Sequence, residues 1–61
     1  MIYNDRGIDR NTVLIVDDVE VNRAILEEII KGMGYHPIQA ESGEEALEKL
    51  KDCTPQLILS L

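Results

Sequence analysis

Sixty-one residues allow at most one small domain, in the size range where a single hydrophobic core is marginal. Six basic residues against twelve acidic ones give a net charge of −6, which disfavours nucleic acid or an anionic membrane as a direct partner, because both select a basic footprint. No apolar run approaches the ~20 residues of a membrane span and no signal peptide opens the chain, so the expected compartment is the cytoplasm. Cys53 is the only cysteine and cannot close an internal disulfide; with Ala46 and Leu50 at helical spacing before it, it reads as a small core thiol. Two aromatics, Tyr3 and Tyr35, make no base-stacking platform.

In chain order, residues 1–11 mix charge, Asn and Gly without periodicity and read as a polar N-terminal arm. Val13-Leu14-Ile15-Val16 follows, four apolar residues of which three are β-branched. The run is too short for a buried helix and is bounded by Asn11-Thr12 and Asp17-Asp18, so it predicts a buried parallel strand over about 12–17. Ligands of open α/β sheets collect just beyond the carboxyl ends of the strands, which is where Asp17 and Asp18 stand. Two adjacent carboxylates repel and resist burial without a cation or donors. Two compatible readings are open: an oxygen-rich half-site for a hard divalent ion such as magnesium, or Asp18 capping the next helix with Asp17 solvated.

The next segment, about 19–32, predicts an amphipathic helix. Val21, Ile25, Ile29 and Met33 recur at i, i+4, with Leu26 and Ile30 widening the apolar face and Glu20, Arg23, Glu27 and Lys31 on the other. Gly34 is the better of two glycine stop signals. A short strand over 36–40 contains Pro37, which lacks a donor and places the strand at a sheet edge. His36 has no companion at metal-ligand spacing and reads as an exposed edge histidine. Ser42-Gly43-Glu44-Glu45 is a capping box opening a helix over 42–52, beyond which Pro55 blocks extension. Neither a Gly-x-Gly-x-x-Gly loop nor a Walker lysine occurs, so a nucleotide site has little support. Gln56-Leu57-Ile58-Leu59-Ser60-Leu61 is a third strand. Strand, helix, strand, helix, strand makes two right-handed βαβ units, and with the first strand central the order is 2-1-3 with one helix on each face.

These residues together resemble a known family. Val13-Leu14-Ile15-Val16-Asp17-Asp18, Asn22-Arg23, Gly34-Tyr35, the Ala40-x-Ser42-Gly43-x-Glu45-Ala46-Leu47 stretch and Pro55-x-Leu57-Ile58-Leu59 are similar to the receiver domain of two-component response regulators. The match covers about residues 12–61 and reaches the first half of such a domain, which usually runs to ~120 residues. The resemblance implies the βαβαβ half of a flavodoxin-like, doubly wound α/β fold. It also implies a magnesium ion held partly by Asp18 directly, with Asp17 in support, and a phosphoryl group received from a sensor histidine kinase or phosphotransfer protein. The family's acceptor aspartate stands six residues after the proline, at position 61, which here is Leu61. The expectation is therefore a truncated receiver that is not phosphorylated, binds magnesium weakly or not at all, and is no enzyme.

Two other classes remain in view. An interaction or assembly module, working without phosphate, would use the exposed third strand to self-associate. A phosphatase with paired aspartates and magnesium would show Asp-x-Asp, whereas Asp17 and Asp18 are adjacent.

Overall fold

The computed structural model describes residues 9–60. They form β1 (Asp9–Val16), α1 (Glu20–Gly32), β2 (His36–Ala40), α2 (Gly43–Lys49) and β3 (Pro55–Ser60). The three strands are parallel in the order β2-β1-β3, so β1 alone has a partner on both sides. This is the expected 2-1-3 half of a flavodoxin-like sheet.

The apolar run in β1 is continuous because both faces of the strand are covered. Val13 and Ile15 pack beneath Ile30 and Leu26 of α1, with Tyr35 and Leu59 beside them. Leu14, on the opposite face, packs with Ala40, with Ala46 of α2 and with Leu50 at the end of that helix. Leu14 and Ile15 are fully buried, and these two adjacent side chains nucleate the two halves of the core.

Several boundaries differ from the sequence-based expectation. β1 begins at Asp9, so Asp9, Arg10 and Asn11 belong to the sheet, while the rest of the expected arm (1–8) lies outside the described residues. Asp9 pairs with Pro55 and Val13 with Leu57, so four steps along β1 span two along β3. The surplus is a bulge, and Asn11 occupies it with φ 68°, a left-handed conformation that asparagine tolerates. Its N–H donates to Gln56 Oε1 at 2.9 Å.

The apolar stripe of α1 is also oriented differently. Val21, Ile25, Ile29 and Met33 are all more than half exposed, whereas Ile30 is buried and Leu26 half-buried. The lane through Arg23, Leu26 and Ile30 faces the sheet instead. The helix ends in a complete Schellman motif. Tyr35 N–H donates to Ile30 O (3.1 Å), Gly34 N–H donates to Lys31 O (2.9 Å), and Gly34 takes φ 88°.

α2 ends at Lys49 rather than 52, its last carbonyls being taken up by tight turns through Asp52. Ser42 Oγ accepts from Glu45 N–H at 3.1 Å as the capping box requires, but the Glu45 carboxylate reaches the Glu41 N–H, one residue before the cap. Cys53 is half-buried at the end of this turn rather than in the core.

Two substitutions of the same chemistry should act with opposite sign. Gly34→Ala forces a Cβ into the left-handed region and should lower stability by about 1–2 kcal/mol. Gly43→Ala meets open space at the start of α2 and should raise it by roughly 0.4–1 kcal/mol. Urea unfolding followed by circular dichroism measures both. Leu14→Ala should remove about 2–5 kcal/mol, as much as a chain this short holds, and abolish the cooperative transition.

Candidate functional site

Beyond Val16 the backbone of β1 makes one more contact with β2, Asp17 N–H donating to Ala40 O at 3.1 Å. The chain then turns into α1. Asp17 Oδ1 accepts from Val19 N–H at 3.0 Å, and this contact sets the turn. Val19 is the N-cap of α1, with φ −100° and ψ 115° and no side-chain cap bond. The roles expected under the capping reading are thus exchanged: Asp18 does not cap the helix, and Asp17 is not solvated. Asp17 is buried at 8% exposure, and Asp18 is exposed beside it.

A polar chain anchors this turn to the edge strand. Arg23 Nη1 donates to the Asp17 carbonyl at 2.7 Å, and Arg23 Nε donates to Gln39 Oε1 at 2.9 Å. Gln39 Nε2 donates in turn to Glu27 Oε1, whose carboxylate pairs with Lys31 Nζ at 3.3 Å. The periodicity of α1 predicts Arg23 and Glu27 on the solvent face. Both instead lie over β2, because α1 leans toward that edge and turns its Ile29–Met33 side toward β3. The signal that could have located them is Gln39, a polar residue in the middle of a short strand, on the α1 face.

The second oxygen of Asp17, Oδ2, is buried and has no hydrogen-bond partner among the described residues. A carboxylate oxygen in that position is strongly disfavoured unless water or a cation meets it. Protonation does not relieve it. The Asp17 carboxyl is held below its ordinary value of 3.8, first by the Val19 N–H, with desolvation opposing, and then by the Asn22 side chain, Asp18 and the Arg23 guanidinium. An ionised, unsatisfied oxygen next to an exposed second carboxylate suits a small hard cation. The donor set is nevertheless only half a site: among the described residues no three His, Cys, Asp or Glu side chains group so as to hold a metal.

The other residues singled out in the sequence fall elsewhere. Ser60 ends β3 opposite Val16 and is exposed, and Leu61 lies outside the described residues. His36 is exposed at the amino end of β2 and pairs in register with Thr12, away from the aspartates. No described helix is long and apolar enough to cross a membrane.

Known proteins are similar to this sequence over most of its length. The autoinducer 1 sensor kinase/phosphatase LuxN of Vibrio campbellii is 46% identical over 48 residues, which are 79% of this chain and 6% of LuxN. The polar-differentiation response regulator DivK of Brucella ovis is 40% identical over 48 residues, 79% of this chain and 39% of DivK, and that of Brucella suis matches equally. The chain is related to the receiver domain of two-component response regulators. It spans about two fifths of the length of the response regulators it matches and a small part of the sensor kinase. No protein-family model and no solved structure matches it. The likeness agrees with the fold, in which Asp17 and Asp18 follow the carboxyl end of the central strand.

The sign of Asp17's pH linkage follows from its lowered pKa. In metal-free buffer its contribution to stability is complete above the ordinary value of 3.8 and is lost as the pH falls through the lowered one. Urea midpoints measured between about pH 5 and 2 should therefore fall more steeply for the wild type than for Asp17→Asn. Equal slopes would show that Asp17 titrates as an unperturbed group.

Proposed function

We propose that this chain is the amino-terminal half of a phosphoacceptor receiver module from a two-component phosphorelay, and that it carries the acidic part of the magnesium site without the acceptor. The observation that carries this reading is the Asp17–Asp18 pair at the carboxyl end of the central strand, with Asp17 Oδ2 buried and unpartnered. Asp18, exposed, would ligate magnesium directly, and Asp17, fixed by Val19 and by Arg23 through its backbone, would hold the ion's water shell. When bound, the cation supplies charge neutralisation for a phosphoryl group approaching a carboxylate. Position 61 is a leucine, which offers no oxygen to accept that group, so this chain is read as a signalling-protein segment that is neither phosphorylated nor an enzyme. For the intact module the partners would be a sensor histidine kinase or a phosphotransfer protein, in the cytoplasm.

A second reading is supported by a separate observation. Among the described residues β3 has a neighbour on one side only, and its Leu57 and Ile58 are about half exposed. An uncovered apolar edge of that kind favours self-association, so the chain would act as an assembly module without phosphate.

Titration calorimetry with magnesium tests the first reading. The wild type should bind feebly, Asp18→Ala should remove what binding there is, and Leu61→Asp should raise the affinity by an order of magnitude or more by adding a third carboxylate. Incubation with a small acyl phosphate should leave the wild-type mass unchanged. Magnesium affinity that is indifferent to both substitutions would overturn the assignment.

A further inference from the structure

Gln39 stands where the packing asks for an apolar side chain. It pairs in register with Ile15, which is fully buried, and so lies on the α1 face of β2 beside that half of the core. A polar group there needs partners, and it has two. Its Oε1 accepts from Arg23 Nε at 2.9 Å, and its Nε2 donates to Glu27 Oε1. These contacts fix which way the amide points, because a guanidinium only donates and a carboxylate only accepts. Gln39, Arg23 and Glu27 are all half-buried, and Glu27 is held from the far side by Lys31 Nζ at 3.3 Å.

The other end of Arg23 gives this chain of contacts its direction. The guanidinium is planar and rigid, so an acceptor on Nε also orients Nη1. Nη1 donates to the Asp17 carbonyl at 2.7 Å. The same aspartate places Oδ1 on the Val19 N–H and carries the buried Oδ2 that has no hydrogen-bond partner among the described residues.

We propose that Gln39 is a positioning residue for the acidic turn. From the edge strand it sets Arg23, Arg23 sets the Asp17 backbone, and the Asp17 carboxylate is aimed by a side chain that never touches it. The proposal rests on the magnesium reading above for what the turn is aimed at, but not for how the turn is held. A glutamine that merely tied α1 to β2 would loosen the fold evenly when removed. One that positions the turn loosens Val19 and Asp17 ahead of the core.

The test uses three variants that keep the net charge, each checked for folding by circular dichroism. Gln39→Leu suits the apolar face and leaves Arg23 Nε without its acceptor. Arg23→Lys keeps the charge but cannot hold Gln39 and the Asp17 carbonyl in one fixed plane. In both, solvent exchange of the Val19 N–H, read by NMR without metal, should speed up about threefold or more relative to the core amides of Leu14 and Ile15. Magnesium affinity, read from the shifts of Asp17 and Asp18, should fall about threefold or more, less than for loss of a group bonded directly to a ligand side chain. Glu27→Gln with Gln39→Glu swaps the two partners, so that a carboxylate at 39 accepts from Arg23 Nε and an amide at 27 donates to it. This double variant should return both readouts to within about twofold of the wild type. Val19 exchange that keeps step with the core amides, an unchanged magnesium affinity, or a folded swap variant that recovers neither readout would overturn the positioning role. A wild type whose Asp17 and Asp18 do not respond to magnesium would overturn the magnesium reading instead, and Val19 exchange would still decide how the turn is held.

Discussion

The burial of β1 between two helices is the constraint on which everything else depends. Among the described residues it is the only strand paired on both sides, and its two innermost side chains, Leu14 and Ile15, point to opposite faces and found separate clusters. Neither cluster is large. Each needs its helix, and each helix is held by few buried residues: Ile30 on α1 and Ala46 on α2. A central strand covered on both faces must end where its covering ends, and at that end the chain turns polar. Asp17 and Asp18 are therefore placed by the same burial that forms the core.

The turn after β1 holds two adjacent carboxylates, and among the described residues no third carboxylate, histidine or cysteine joins them. One oxygen of Asp17 sets the backbone of the turn through Val19, and the other has no hydrogen-bond partner among the described residues. Arg23 reaches over from α1 to the Asp17 carbonyl, so it fixes the turn through the backbone while its charge adds to the forces that keep the carboxyl ionised. Gln39 and Glu27 then tie that arginine to the edge strand. Stability and electrostatic readiness are supplied by different atoms of one residue.

Much of this was legible in the residues. The run Val13–Val16 announced a doubly covered strand, Pro37 announced an edge, Gly34 announced the helix end, and the 2-1-3 order followed from their sequence. What was not legible depended on tertiary choices. α1 carries two lanes able to face a sheet, and the more apolar one, Val21-Ile25-Ile29-Met33, is the exposed one, because the helix leans toward β2 to engage Gln39. Periodicity reports that a helix has an apolar side, not which neighbour that side meets. The exchange of roles between Asp17 and Asp18 turned on a single side-chain contact to Val19 N–H, which spacing alone does not select. The bulge at Asn11 had no signal beyond one asparagine in a polar stretch.

On this acidic surface, a cation would be met at the end of β1. Backbone amide NMR of the isotope-labelled chain, titrated with magnesium, tests it most directly. The account predicts shifts confined to Asp17, Asp18 and Val19, with a smaller response at Ser60 opposite Val16. Shifts centred on the exposed carboxylates of α2, at Glu44 and Glu48, with Asp17 and Asp18 unmoved, would contradict it.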